Sequence, residues 1–340
     1  MIRSMIVGSL PRPAWLAAPA GVFAKPLLDD PATRAEAEDD AVRLAVRAQI
    51  DAGLDAVTDG EQRRRHYIWG FCEGLTGIDF TRSEKITARG GRYQAETPGP
   101  VVTGPVRRTK PVLVDALRST IAAADGRPVK VTLPGPMTVV DTLADRYYGD
   151  RRRFAFEIAR ILNEEACELA EAGAAIIQFD EPCFNIYLDD VEEWGIDALQ
   201  TAAADVRAKT AVHICYGYGV PVVLAWKTSN TDWSHYHRTL PLLADSTIDQ
   251  ISIELAASGV DPAVVALAAG KEVAAGVIDV GTDEVETPET VAARIGAIAA
   301  HIDRDRLWAS TDCGMVPRQR AAADAKMRAL AAGVALVNAG

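Results

Sequence analysis

The chain has 340 residues, of which 49% are hydrophobic and 24% charged, and its net charge is −11. This composition is typical of a globular protein, and the acidic balance argues against binding to nucleic acid or an anionic membrane, since both need a basic surface. No stretch approaches the roughly 20 apolar residues of a membrane span, and the first residues lack the apolar core of a signal peptide. We therefore expect a cytoplasmic protein whose five cysteines form no disulfide framework.

Short apolar, β-rich runs alternate with longer helical patterns along the chain. The runs that predict strands cover residues 4–9, 54–61, 129–136, 174–182, 210–217, 250–256, 272–279 and 306–314. The clearest helical patterns cover residues 31–52, 150–172, 287–301 and 318–337. This alternation predicts an α/β fold of parallel strands, and eight strands close a (β/α)8 TIM barrel. The alternative is an open doubly wound sheet. The sequence disfavours it, because no Gly-rich dinucleotide-binding motif follows the first predicted strand.

Two segments interrupt the alternation. Gly and Pro punctuation in residues 77–109 predicts a β-hairpin insertion after the second βα unit. Its basic residues favour a solvated face over a site for an anion or a partner; they are Arg82, Lys85, Arg89, Arg92, Arg107 and Arg108, followed by Lys110. Residues 216–237 follow a strand end and are rich in aromatic residues, so they are a candidate lid loop. Without a linker or repeat, residues 1–340 are predicted to form one catalytic TIM-barrel domain.

Polar, Gly or Pro residues end seven of the eight runs, and barrel active sites form at the carboxyl ends of strands. His213 and Cys215 are two apart in one run, so their side chains share a face. Cys313 and Glu254 end two other runs. Together these residues offer N, S, S and O donors, which suit tetrahedral zinc, although a packed His and Cys is the competing interpretation of the H-x-C pair.

The charge of this ligand set indicates the chemistry. Two thiolates and a carboxylate give about −3 against the +2 of zinc, which makes the ion a poor activator of water. Such an ion can still lower the pKa of a bound thiol while its sulfur stays nucleophilic. An exchangeable Glu254 would supply the open position. The set therefore predicts alkyl transfer to sulfur.

The motifs resemble the C-terminal catalytic barrel of cobalamin-independent methionine synthases. They occur in the family's order: VGS (7–9), DGE (59–61), PGPMT (134–138), QFDEP (178–182), HICYG (213–217), SIE (252–254), GVID (276–279) and DCGM (312–315). The resemblance implies zinc on His213, Cys215, Glu254 and Cys313.

It also implies that homocysteine is held by Ser9, Glu61 and Asp180, with the two carboxylates at its ammonium group and the backbone around Ser9 at its carboxylate. Glu61, Asp180 and Asp279 are the expected catalytic residues. The competing interpretation of the DGE and DEP carboxylates is structural, as helix caps.

Two departures from the family concern the methyl donor. The long members carry an N-terminal barrel that helps to bind folate polyglutamate, and these 340 residues resemble the short core form. A His that follows the seventh-strand Asp in long members has no counterpart in the segment from Asp279 to Asp283. We therefore expect a donor other than folate polyglutamate, such as a methylated corrinoid or a methyl-donor protein.

Two alternative functions follow from the same residues. Relatives of this barrel open epoxides with coenzyme M, a sulfonate thiol that needs cations rather than the Glu61 and Asp180 pair. Arg12 and the run Arg63 to Arg65 could supply such cations. The second alternative is a zinc-stabilised scaffold or methyl-carrier subunit, which the clustering of polar residues at strand ends argues against.

Overall fold

The structure is a computed structural model that describes residues 1–20, 23–92, 96–218 and 221–340. Residues 93–95 of the predicted hairpin and 219–220 of the predicted lid lie outside the described residues. The strands are β1 (Arg3–Ser4), β2 (Ala17–Ala20), β3 (Phe23–Pro26), β4 (Leu75–Ile86), β5 (Thr97–Arg108), β6 (Lys130–Pro134), β7 (Ala144–Asp145), β8 (Ile176–Asp180), β9 (Lys209–Ile214), β10 (Gln250–Ile253), β11 (Glu272–Ile278) and β12 (Leu307–Thr311).

The α-helices are α1 (Pro31–Ala52), α2 (Trp69–Cys72), α3 (Val114–Ala123), α4 (Pro136–Asp141), α5 (Arg151–Glu171), α6 (Leu188–Asp190), α7 (Ile196–Ala203), α8 (Pro221–Ser229), α9 (His235–Ala244), α10 (Pro288–Ala299) and α11 (Arg320–Ala339). Shorter helical turns cover Ala88–Gly91, Pro182–Asn185, Val191–Gly195 and Pro262–Leu267. Within the described residues, none of these helices combines the length and apolar character needed to cross a membrane.

Seven parallel strands form one curled sheet in the order β1-β12-β11-β10-β9-β8-β6. Every residue of β6, β8, β10 and β12 is buried, as expected for a parallel sheet covered on both faces. Helices connect successive strands, so the carboxyl ends of the strands lie at one end of the sheet. The predicted α/β class is confirmed.

The second predicted run, residues 54–61, contributes a single bridge rather than a strand. Val57 pairs in parallel with Val129, just before β6. On its other side, the backbone N–H of Asp55 donates to the carbonyl of Ser4 in β1, at 3.0 Å. The run therefore contacts both edges of the seven-stranded sheet.

Capping residues explain where the long helices begin and end. Asp30 accepts a hydrogen bond from the N–H of Thr33 at 2.7 Å, and Pro31 occupies the first helical position of α1. Gly53 ends that helix at a φ of 90°, which an L side chain rarely adopts. Asp150 caps α5 in the same way, through the N–H of Arg153. α1 matches the predicted helix at both ends, and α5 is one residue shorter at each end than predicted.

β4 and β5 pair in an antiparallel manner and extend slightly beyond the predicted hairpin residues at the amino-terminal end. They lie between run 54–61 and α3, within the second βα connection, whereas we expected them after the second unit. Carboxylates pair with several of the basic residues. The shortest N–O separations at these pairs are 3.2 Å for Lys85 to Glu96 and 2.6 Å for Arg108 to Glu165. The exposed Lys85 fits the solvated-face interpretation, whereas the side chain of Arg108 is buried and Arg89 pairs with the buried Asp141.

Residues 216–237 are largely helical in the part that the structure describes. They contain α8 and the first turn of α9. Trp226 of α8 lies under the guanidinium of Arg92 from the hairpin region, 4.9 Å from its carbon to the ring centre. The hairpin region and residues 216–237, the two segments that interrupt the strand–helix alternation, therefore contact each other.

Candidate active site

A cavity of about 350 Å³ opens at the carboxyl ends of the strands. Six of the residues predicted from the sequence line it: Ser9, Glu61, Asp180, His213, Cys215 and Cys313. Among the described residues, Glu254 and Asp279 are not part of this lining. The topology thus brings side chains from six separate positions in the sequence to one cavity.

A metal-binding arrangement forms at the wall of this cavity. One ligand atom from each of His213, Cys215 and Cys313 lies within 4.8 Å of the others. The Sγ atoms of Cys215 and Cys313 are 3.8 Å apart. Within the described part of the chain, this is the one group of three or more His, Cys, Asp or Glu residues with that geometry.

The imidazole of His213 is oriented by one ring nitrogen, and its other ring nitrogen is available to a ligand. Its Nδ1 atom lies 3.0 Å from the Oγ of Ser252 on the neighbouring strand, which fixes the ring orientation. Its Nε2 atom is buried and has no hydrogen-bond partner among the described residues. A buried ring nitrogen without a partner is costly, and a metal ion would satisfy it.

The electrostatics of the group favour a thiolate. The thiol of Cys313 donates toward Cys215 and, with His213 nearby, lowers the pKa of Cys215 well below its ordinary value. Burial opposes the protonation of His213, but the adjacent Cys215 outweighs it and raises the pKa of the imidazole. Thiolate sulfur and imidazole nitrogen are donors that zinc prefers. The residues present therefore fit zinc.

Glu254 lies behind this group and is engaged elsewhere. Its carboxylate accepts hydrogen bonds from the Nζ of Lys227 at 2.7 Å and from the N–H of Tyr216 at 2.8 Å. Burial raises its pKa to about 8, although Lys227 has the opposite effect. The predicted fourth ligand is therefore close to the cysteines but outside the three-residue group.

Glu61 reaches the cavity through an unusual backbone conformation. Its φ is 55°, in the left-handed region, and the carboxylate of Asp59 accepts its N–H at 2.9 Å. Its Oε1 accepts from the hydroxyl of Thr132 at 2.9 Å. A Cβ at Gly8 would lie only 2.8 Å from that oxygen, so this glycine allows the carboxylate to approach the backbone beside Ser9.

Asp180 is oriented by a chain of hydrogen bonds that the sequence analysis missed. The Nε2 of Gln178 donates to its Oδ1 at 2.8 Å, and the Nζ of Lys130 donates to the Oε1 of Gln178 at 2.9 Å. Burial raises the pKa of Asp180 to about 7 and lowers that of Lys130 to about 7. A lysine at the start of an otherwise apolar strand, as in VKVTLP, was the available signal.

The neighbouring acid Glu181 has the structural role that we considered for this motif. It accepts hydrogen bonds from the N–H groups of Met137 and Thr138, at 2.8 and 3.0 Å, and so caps α4. Of the two acids in the DEP motif, Asp180 therefore lines the cavity and Glu181 caps α4.

Asp279 has a local role in the structure. Its Oδ1 accepts from the N–H of Gly281 at 2.6 Å, and its own N–H donates to Glu286 at 2.7 Å. The tight turn at the end of β11 is thereby fixed. The structure does not bring Asp279 to the cavity with Glu61 and Asp180.

Sequence reasoning also missed the role of Asp312, which precedes Cys313. Its carboxylate accepts from three consecutive N–H groups, those of Leu255, Ala256 and Ala257, at 2.8–2.9 Å. The hydroxyl of Tyr218 donates to it at 3.0 Å. Asp312 therefore ties the loop after Glu254 to the loop that carries Cys313.

A comparison with known protein families identifies the family of this chain. The model described as "Cobalamin-independent synthase, Catalytic domain" matches residues 2–335. The chain belongs to the cobalamin-independent methionine synthase family. Membership supports a methyltransferase activity.

Individual members of the family cover almost the whole chain. The methionine synthase of Sulfurisphaera tokodaii is 30% identical over 94% of this chain and 88% of its own length. That of Saccharolobus islandicus is 31% identical over 99% and 95%. A solved structure of a B12-independent methionine synthase from a Shewanella species, in complex with selenomethionine, is 41% identical over 99% of this chain and 98% of its own, with a TM-score of 0.96.

Proposed function

We propose that this protein is a zinc-dependent methyltransferase that alkylates the thiol of homocysteine to give methionine. The observation that carries the proposal is one cavity that has His213, Cys215 and Cys313 at its wall and the carboxylates of Glu61 and Asp180 beside them. A soft metal site next to two acids suits a substrate with both a thiol and an ammonium group.

Zinc would be held by Nε2 of His213 and by the sulfurs of Cys215 and Cys313, with Glu254 as the predicted fourth ligand. When bound, the ion would lower the pKa of the substrate thiol while leaving its sulfur nucleophilic. Ser252 keeps the imidazole oriented, and Asp312 fixes the loop of Cys313.

The protein's own residues orient the amino-acid end of the substrate. The amide of Gln178 occupies one oxygen of Asp180, which directs the other toward the ammonium group. Glu61 lines the same cavity as Asp180, and the side chain of Ser9 lies against Gly314, the residue after Cys313. When the substrate is held at both ends, its thiolate sulfur can attack the methyl carbon of the donor in line, and the donor leaves with the electrons of the broken bond. Positioning therefore supplies much of the rate. The Shewanella relative, whose structure holds selenomethionine, supports an amino-acid site.

For the methyl donor we propose a compound other than folate polyglutamate, such as a methylated corrinoid, or an accessory protein that carries the methyl group. The reason is the segment after Asp279, which has no histidine before Glu286 and forms the tight turn at Gly281.

For the architecture we infer a closed (β/α)8 barrel that forms a single catalytic domain over residues 1–340. Run 54–61 contacts both Ser4 and Val129, at the two edges of the parallel sheet, and would complete the ring. The β4–β5 hairpin is then an insertion at the carboxyl end of the second strand.

A second candidate is alkylation of coenzyme M. Arg12 favours it, because this cation lines the cavity and its buried Nε has no hydrogen-bond partner among the described residues. Other atoms of the Arg12 guanidinium donate to the carbonyls of Glu61 and Arg64. The other cations predicted for that function are also engaged: Arg63 pairs with Asp39, Arg64 donates to the hydroxyl of Thr132, and Arg65 pairs with Glu73.

Zinc X-ray absorption tests both candidates. The purified protein would be measured alone, with L-homocysteine and with coenzyme M. Replacement of an oxygen or nitrogen ligand by sulfur with homocysteine only supports the first proposal, and replacement with coenzyme M only supports the second. A protein that binds no zinc would overturn both.

A further inference from the structure

Lys130 is a fully buried lysine at the start of β6. It is 1% exposed, and its Nζ donates to the carbonyl of Ile6 at 2.6 Å and to the Oε1 of Gln178 at 2.9 Å. Both acceptors are neutral oxygens, so neither contact pairs the lysine with an opposite charge. Burial of an ammonium group in this way costs free energy, and buried groups that carry such a cost cluster at functional sites.

Gln178 connects this lysine to the cavity. Its amide is also buried, and its Nε2 donates to the carbonyl of Val7 at 3.1 Å and to the Oδ1 of Asp180 at 2.8 Å. An ammonium group has donors and no acceptor, so Lys130 favours the amide orientation in which the oxygen faces the lysine. In that orientation the two amide hydrogens face Val7 and the carboxylate of Asp180.

The same strand supports the second acid of the cavity. Thr132 lies two residues after Lys130, so both side chains extend from one face of β6. The hydroxyl of Thr132 donates to the Oε1 of Glu61 at 2.9 Å, and it accepts from the guanidinium of Arg64 at 2.9 Å. β6 therefore holds Glu61 through Thr132 and contacts Asp180 through Lys130 and Gln178.

We propose that Lys130 is a positioning residue of the amino-acid site, which fixes the carboxylate of Asp180 through Gln178 in the orientation that receives the ammonium group of the substrate. This inference rests on the proposed function and extends it to a residue outside the cavity lining. Without the lysine, the buried Oε1 of Gln178 would lose its donor. A turn of the amide toward another donor would then release Asp180.

The test compares the binding of two ligands that differ only in the amino group, L-methionine and 4-(methylsulfanyl)butanoate. Calorimetry measures the affinities, and ligand-observed NMR extends the range to weak binding. The variants are Lys130→Met, Gln178→Leu and the double variant. Lys326→Met is the matched control, because Lys326 is equally buried but contacts Glu284 and Glu286, outside the cavity.

We expect Lys130→Met and Gln178→Leu each to weaken L-methionine binding about tenfold, since each disturbs a hydrogen bond to a charged group. The double variant should lose about tenfold as well, rather than about 100-fold, because the two residues act in series. The affinity for 4-(methylsulfanyl)butanoate should change by less than about threefold in all variants. Lys326→Met should bind both ligands as wild type does.

Three results would contradict the role given to Lys130. The first is L-methionine affinity at the wild-type level in a folded Lys130→Met protein. The second is an equal loss for both ligands, which would indicate a general disturbance of the fold. The third is a loss of about 100-fold in the double variant, which would show that the lysine acts independently of Gln178.

If Lys130→Met does not fold, the double variant decides the question, because two apolar partners leave no buried polar group unsatisfied at that contact. Its L-methionine affinity should then equal that of Gln178→Leu, and a further tenfold loss would rule out the inference. Each contrary result, in a wild-type protein that binds L-methionine, leaves the proposed function intact. A wild-type protein that binds no L-methionine would remove both proposals.

Discussion

The Sγ atom of Cys215 lies 3.8 Å from the Sγ atom of Cys313, although the two residues are 98 positions apart in the sequence. Their strands, β9 and β12, are separated by β10 and β11 in the sheet. Only the curvature of the sheet brings the two strand ends to one point. Ser9, Glu61 and Asp180 converge on the same cavity for the same reason, whereas Asp279 does not.

Removal of one cysteine tests the metal site. We expect Cys313→Ser to weaken zinc binding by more than about 100-fold, since even the residues behind metal ligands contribute about 10- to 100-fold. Methylation of homocysteine should be lost with the zinc. Metal content after dialysis against a chelator measures the effect, and Cys167→Ser on α5 is the matched control. Full zinc occupancy with normal turnover in Cys313→Ser would rule out the assigned site.

Loss of one carboxylate charge tests the substrate site. We expect Asp180→Asn to raise the KM for homocysteine by about 10- to 100-fold, because it removes a charge-assisted hydrogen bond to the ammonium group. Steady-state kinetics measure this, with the exposed Asp115→Asn as control. The use of a sulfonate thiol should hardly change. An unchanged KM for homocysteine would place the ammonium group elsewhere.

The activity should depend on pH through the same carboxyl group. Burial raises the pKa of Asp180 to about 7, so the group is neutral below that pH and binds an ammonium ion poorly. We expect kcat/KM for homocysteine to rise with pH up to about 7 and then to level off, because the pH dependence of kcat/KM reports the pKa values of groups in the free enzyme.

The Asp180→Asn variant should lack that rise. This comparison also shows whether Asp180 or Lys130 is the group that titrates, because burial lowers the pKa of Lys130 to about 7 as well. A rise that persists unchanged in the variant would assign the limb to another group.

The loop beneath Cys313 should depend on Asp312 for stability. We expect Asp312→Ala to lower the free energy of unfolding by about 3 kcal/mol, because the buried N–H of Leu255 and the half-buried N–H groups of Ala256 and Ala257 lose their acceptor. Urea unfolding of chelator-treated protein measures this without a contribution from metal. The exposed Asp303→Ala should change stability by less than about 0.5 kcal/mol. Equal effects of the two variants would contradict the role given to Asp312.

Local patterns in the sequence were sufficient to locate the four longest helices and most strands of the parallel sheet. Asp30, Pro31 and Gly53 mark both ends of α1 through capping chemistry that acts within a few residues. The two-residue spacing in H-x-C places His213 and Cys215 on one face of β9 whatever the rest of the chain does. The order of the motifs identified the family, which the comparison with its model confirmed.

Tertiary structure decided which residues share a cavity and which partners they have. Glu254 and Asp279 end strands as Asp180 does, yet Glu254 pairs with Lys227 and Asp279 closes a turn at Gly281. The sequence determines that a carboxylate stands at a strand end. Which donor reaches it depends on contacts between residues far apart in the chain, such as that of Lys227 on α8 with Glu254 after β10, and no local periodicity encodes those distances.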